Sequence, residues 1–173
     1  MARHLFLTGE KGVGKTTLVK ALLAQYQGPV GGFFTLKTTG VRPGWYSVHL
    51  LQADGEAAPG EENLLFCCGD PISPALAARF DRLGCAALAA GRGAGLLVMD
   101  EIGPHEQDAQ GFCRAVFQAL DGEVPILGVL QRADTPLYAR IANHPQVRLV
   151  TVTAENRDAL GRTLALPAGP EEA

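Results

Sequence analysis

Eight residues near the N-terminus, Gly9-Glu10-Lys11-Gly12-Val13-Gly14-Lys15-Thr16, have the types and spacing needed to hold a polyphosphate. They fit G-x-x-x-x-G-K-[ST], a pattern in which glycines let the backbone curl until its N–H groups point inward at phosphate oxygens. A helix opening near Lys15 would turn the positive end of its dipole toward the same spot. Lys15 is then placed to neutralise the β- and γ-phosphates, the Thr16 hydroxyl to ligate Mg²⁺, and Thr17 to extend the nucleotide-binding stretch. A glycine-rich helix cap carrying two solvated lysines is the bland alternative. It gives no reason for a strand to precede the loop and a helix to follow it.

A second constellation lies mid-chain, where the apolar run Leu96-Leu97-Val98-Met99 ends in Asp100-Glu101. Ligands of open α/β sheets sit at the carboxyl ends of strands, so both acids are expected level with the phosphate loop. Asp100 is the expected metal partner of Thr16, and Glu101 is placed to orient the attacking water. A magnesium-bound γ-phosphate needs little beyond charge neutralisation and an aligned water, so the two acids with Lys15 suffice as a minimal set, in which Lys15 and Glu101 are the expected catalytic residues.

The elements that must position these groups alternate short apolar runs with helical segments, the signature of βαβ units and a mainly parallel sheet. His4–Thr8 reads as the strand entering the loop. Residues 15–26 follow as a helix anchored by Leu18 and Leu22, broken by Gly28-Pro29. Val30–Thr35 is a second strand. Residues 40–54 and Asn63–Cys68 read as a hairpin-type insertion outside the parallel core. A helix is expected over Ala75–Ala90 and the acidic strand from Ala94. Beyond it come a helix over Gln107–Leu120, strands at Val124–Leu130 and Val147–Val152, and helices at Pro136–Ala142 and Ala154–Leu164. One domain over residues 1–166 accounts for all of this, with 167–173 as a flexible tail.

The 173 residues are 47% hydrophobic and 19% charged, which is the profile of a folded globule. A net charge of −3 offers no broad basic surface, so no nucleic-acid partner is expected. Without a signal-peptide layout or a long apolar run, the chain is expected in the cytoplasm with no membrane partner. A monomer or small homo-oligomer is expected. Cys67, Cys68, Cys85 and Cys113 lack C-x-x-C spacing and read as ordinary small apolar residues.

With these motifs in place the chain resembles the THEP1 family of nucleoside triphosphatases. The likeness starts at Arg3–Gly9, runs through the phosphate loop, and continues in Gly32-Phe33-Phe34-Thr35. It includes Arg42 and Gly44–Val48, similar to an R-x-G-F-x-V hairpin. Asp100-Glu101-Ile102-Gly103 with Glu106 is close to D-E-I-G-x-M-E, although His105 stands in place of methionine. Val152–Arg157 resembles V-T-x-E-N-R. Residues 54–91 match poorly. The resemblance implies Mg²⁺-dependent hydrolysis of ATP, GTP and other nucleoside triphosphates, with weak discrimination among bases. A glutamate directly after the metal-binding aspartate resembles the hydrolytic, RecA-like branch of P-loop proteins more than the small-molecule kinases. It implies a three-layer, RecA-like α/β fold with the Val124–Leu130 strand between the phosphate-loop strand and the Asp100 strand. Gln131 or Arg132 would then act as a γ-phosphate sensor or charge stabiliser, and Asn156 and Arg157 as contacts to the base.

Two alternatives share the loop. A small-molecule or nucleotide kinase needs an acceptor pocket and an arginine-bearing lid, for which Arg79, Arg82 and Arg92 are candidates. A nucleotide-binding accessory module without strong catalysis is the other, though the guanine-reading N-K-x-D is absent.

Overall fold

The computed structural model describes residues 2–39 and 44–167. Arg42 and residues 168–173 lie outside the described residues. Seven strands form one sheet: β1 (His4–Thr8), β2 (Val30–Thr39), β3 (Tyr46–Gln52), β4 (Leu64–Cys67), β5 (Leu96–Ile102), β6 (Ile126–Leu130) and β7 (Val147–Thr151). Their order across the sheet is β4-β3-β2-β5-β6-β1-β7. From β2 to β7 every pairing is parallel, whereas β2–β3 and β3–β4 are antiparallel. The strand carrying the phosphate loop is thus separated from the acidic strand by β6, as expected.

Five helices cover the sheet: α1 (Lys15–Leu23), α2 (Pro74–Ala90), α3 (Gln110–Leu120), α4 (Pro136–Ala142) and α5 (Arg157–Thr163). The central strands are buried on both faces, which is why β1 and β6 read as unbroken apolar runs rather than as alternation. On one face Leu18, Val19 and Leu22 of α1 pack with Leu5, Leu7, Val98 and Val129. On the other, Phe80 of α2 and Phe112, Val116 and Leu120 of α3 pack with Phe6, Phe33, Met99 and Ile126. Phe112 stands between Phe33 and Phe80 with ring centres 5.7 and 6.1 Å away, in tilted aromatic contacts that run through the layer.

Several boundaries differ from the sequence reading, each for a local reason. Helix α1 stops at Leu23, because the amides of Gln25 and Tyr26 turn back to the carbonyls of Leu22 and Leu23. Helix α3 begins at Gln110 rather than residue 107, because Pro104–Glu106 forms a separate 3-10 turn. Helix α5 begins at Arg157, since Thr153 and Asn156 hydrogen-bond each other's backbone and close a turn first. Helix α2 starts where Ser73 accepts the Leu76 amide and Pro74 supplies a preset first-turn φ.

The larger finding concerns β2. It runs to Thr39, four residues past its expected end, and outreaches β5. Val30–Phe33 pair with β5, while Phe33–Thr39 pair with β3. The hairpin-type segment is therefore an extension of the one sheet, projecting beyond the carboxyl end of the acidic strand.

Candidate functional site: a phosphate loop facing a buried carboxylate

The loop between β1 and α1 curls through positive φ at Gly9 (136°), Gly12 (81°) and Gly14 (98°). At Gly9 a side chain is impossible, because a Cβ there would lie 2.2 Å from the Val152 carbonyl oxygen. Gly14 caps α1 in the left-handed conformation, and its carbonyl accepts the Leu18 amide as the first helical bond. The Lys15 ammonium folds back over the loop, donating to the carbonyls of Gly9 (3.0 Å) and Glu10 (2.7 Å). Burial lowers the Lys15 pKa, against the pull of Glu101, Glu10 and Asp100. All the charges that oppose the shift are acids of this site.

In the first turn of α1, the Thr16 hydroxyl donates to Asp100 Oδ1 at 3.2 Å, with Oδ2 at 3.5 Å. Asp100 is buried, with 1% of its surface exposed. Burial raises its carboxyl pKa to about 6, opposed by the Thr16 hydrogen bond. The Thr35 hydroxyl of β2 donates to the Asp100 carbonyl at 3.2 Å and ties the end of β5 to its neighbour.

Immediately after, the ladder between β5 and β6 shifts register between Met99 and Ile102. Glu101 occupies this irregularity with φ 73°, the sole positive-φ non-glycine among the described residues. A side chain in that conformation costs of order 1 kcal/mol or more, and such outliers cluster at functional sites. The consequence is directional: Asp100 and Ile102 stay buried, whereas Glu101 is exposed at the phosphate cavity.

That cavity, about 540 Å³, is lined by Gly9, Glu10, Lys11, Gly12 and Gly14 to Thr17, with Glu101, Val129, Gln131 and Arg132 opposite. Gln131 and Arg132 therefore do reach the phosphate site from the end of β6. Arg132 stands 3.8 Å from the Glu10 carboxylate, but both side chains are more than half exposed and the pair is weak. Val13, placed in the loop by its motif, packs into the apolar layer beside α1 instead.

Asn156 and Arg157 do not line the cavity. Asn156 spends its side chain on its own turn, accepting the Thr153 amide at 2.8 Å and donating to the Thr151 carbonyl at 2.9 Å. Arg157 lies against the loop from behind: a Cβ on Gly14 would sit 2.8 Å from its Cδ. Its guanidinium also donates to Asp158 at 3.1 Å. Of the arginines proposed for a lid, Arg79 is held to the Leu65 carbonyl at 2.9 Å as a strut between α2 and β4.

Glu106 is buried, and its Oε2 accepts the Gly103 amide at 2.9 Å, fixing the turn that follows Glu101. Burial raises its pKa to about 7. His105 packs its ring against Phe66 with centres 5.2 Å apart, filling the place taken by a methionine in the motif. Thr35 ends the Gly32–Thr35 stretch, whose sequence does not say what its hydroxyl touches. Its contribution follows from β2 lying beside β5, which no local pattern announces.

Comparison with known proteins identifies the family and the fold. A family model described as NTPase matches residues 4–165. The chain is 33% identical to nucleoside-triphosphatase THEP1 of Thermofilum pendens, over 95% of this chain and 94% of the other. It is 34% identical to cancer-related nucleoside-triphosphatase of Homo sapiens, over 92% and 93% respectively. The crystal structure of THEP1 from Aquifex aeolicus superposes with a TM-score of 0.69 at 26% identity, covering 92% of this chain and 95% of that one.

Proposed function

This chain belongs to the THEP1-type nucleoside-triphosphatase family, and we propose that it hydrolyses the γ-phosphate of a Mg²⁺-bound triphosphate with Glu101 as the residue acting on water. It is a nucleoside-triphosphatase with a P-loop fold. The observation that carries the mechanistic reading is the approach of the Thr16 hydroxyl to the buried Asp100 carboxylate at 3.2 Å. A buried carboxylate whose direct partner is a neutral hydroxyl is short of positive charge, so this donor set fits a hard divalent cation. Among the described residues no cluster of three or more His, Cys, Asp or Glu could hold a metal by itself. That suits Mg²⁺, which keeps several waters and shares its remaining positions with phosphate oxygens. Thr16 and Asp100 would hold it, and it would supply charge neutralisation at the β- and γ-phosphates.

The rest falls to the chain's own groups. Backbone amides of residues 10–16 hold the phosphates, and Lys15 trades its two loop carbonyls for phosphate oxygens. Glu101, projecting from the irregular end of β5, accepts a hydrogen bond from the attacking water and orients it in line. Gln131 and Arg132 reach the γ-phosphate side, where a cation or amide stabilises the charge of the leaving and transferring groups. Base discrimination is weak, because Asn156 is committed to its own turn and the phosphate cavity offers contacts to phosphate rather than to a base. Arg157 remains as a flat surface for whichever base is bound.

Phosphate release from ATP, GTP, CTP and UTP, with and without Mg²⁺, tests this. We expect all four to turn over within about tenfold of one another, only with the metal. Lys15→Ala should weaken binding and turnover together. Turnover undiminished by EDTA would remove the proposed metal role.

A further inference from the structure

Beside the phosphate cavity lies a second one of about 330 Å³. It shares Lys11, Thr16, Glu101 and Gln131 with the phosphate cavity, so the two meet where a γ-phosphate would end. Its remaining walls come from the sheet extension and the turn after β5: Thr35, Lys37, Tyr46, Val48, Leu65, Phe66, Phe80, His105 and Glu106. Hydrolysis requires a single water, whose share of liquid volume is about 30 Å³. The space facing Glu101 is roughly ten times larger. Its wall mixes polar groups with the rings of Tyr46 and Phe66 and the aliphatic Val48, a lining that suits an organic molecule with a flat body and polar edges.

We infer that this cavity is a phosphoryl-acceptor site for a neutral heteroaromatic alcohol of about nucleoside size, so that the enzyme transfers its γ-phosphoryl to a hydroxyl as well as to water. The inference rests on the triphosphate being bound as proposed above. Tyr46 and Phe66, both only partly buried, offer aromatic surface for the flat body. Lys37 already lies 3.4 Å above the centre of the Tyr46 ring, a cation–π arrangement that a second ring could extend. The His105 Nδ1, buried, has no hydrogen-bond partner among the described residues and is a polar group that the site leaves unused. Charge selects the acceptor type. Lys11 and Lys37 share the cavity with Glu101, so an anionic acceptor would gain from the lysines but bring its charge against the Glu101 carboxylate. An alcohol instead needs a carboxylate to take its proton. In the transfer, the bond from the γ-phosphorus to the β–γ bridging oxygen breaks and the acceptor oxygen bonds to phosphorus. The hydroxyl proton passes to the Glu101 carboxylate, and the nucleoside diphosphate leaves with the bridging oxygen's electron pair.

The test incubates the full chain with Mg²⁺ and ATP, alone and with adenosine, guanosine, cytidine, uridine or thymidine at several millimolar, followed by ³¹P NMR. With at least one nucleoside, a phosphate monoester should become the major product while phosphate release falls. Val48→Trp, which fills the cavity from β3, should lower the ratio of ester to phosphate at least tenfold. Absence of ester with all five nucleosides, with phosphate release unchanged, overturns the acceptor site while leaving hydrolysis intact. Slower phosphate release without ester means that the cavity binds but does not align the hydroxyl, and overturns the transfer. If no phosphate appears even without nucleoside, the hydrolytic assignment fails instead.

Discussion

Across 84 residues of chain, the Thr16 hydroxyl comes to 3.2 Å from Asp100 Oδ1, joining the first turn of α1 to the end of β5. Neither residue reaches the other through a loop. The distance is set by two strands, β1 and β5, held one strand apart by β6, and by the burial that keeps Asp100 at the sheet's carboxyl edge.

Asp100→Asn should separate folding from metal binding. The amide keeps the shape and the Thr16 contact but removes a charge whose burial is costly. Without Mg²⁺ the variant should melt at the wild-type temperature or above. Wild-type protein with ADP should gain stability when Mg²⁺ is added, by the linkage of binding to folding, whereas the variant should not. Thermal melts with and without EDTA measure both.

Glu101 is expected to trade stability for activity. Glu101→Gln should cut phosphate release about 100-fold or more, the usual range for a positioned base, and leave nucleotide affinity nearly unchanged. Glu101→Gly relieves the φ of 73° and should raise stability by roughly 0.5–1 kcal/mol with turnover equally lost. A higher denaturant midpoint in the glycine variant, beside a dead phosphate assay, is the expected pair of results.

The loop glycines are not equivalent. Gly9→Ala drives a Cβ to 2.2 Å from a backbone carbonyl that cannot move without displacing β7, and should cost more than about 3 kcal/mol or prevent folding. At Gly14 the nearest atom, at 2.8 Å, belongs to the flexible Arg157 side chain, so the penalty is mainly the φ of 98°. Urea denaturation should rank Gly9→Ala well below Gly14→Ala.

Glu106 gives the nucleotide-free protein a pH dependence. Its pKa rises from an ordinary 4.5 to about 7, so the folded state holds the proton more tightly than the unfolded one. Its contribution to stability is fully present below about pH 4.5 and is lost as pH rises through 7. The loss amounts to roughly 3 kcal/mol at full ionisation. Glu106→Gln keeps an acceptor for the Gly103 amide and cannot ionise, so its melting temperature should fall less than wild type between pH 5 and 8. Parallel curves would rule out Glu106 as the source.

Much of this molecule was legible in local pattern. The spacing of Gly9, Gly14, Lys15 and Thr16 specifies a phosphate loop because each residue acts on its immediate backbone, and a strand that must be apolar on both faces announces itself as Leu96–Met99 does. The helix expected at Pro136–Ala142 matches to the residue, and in the structure Thr135 caps it and Pro136 opens it. Resemblance to a family supplied the strand order and the hydrolytic chemistry, which periodicity alone does not contain. Tertiary structure decided what depends on pairing between distant segments. The run of β2 past β5, which joins the expected antiparallel hairpin to the edge of the sheet, depends on hydrogen bonds to β3. The left-handed Glu101 follows from a register shift against β6, and the commitment of Asn156 to its own turn from bonds to Thr151 and Thr153. Residue type and spacing encode what a segment can do by itself. Which faces meet, and where a carboxylate finally points, is fixed by packing energies shared among residues far apart in the chain.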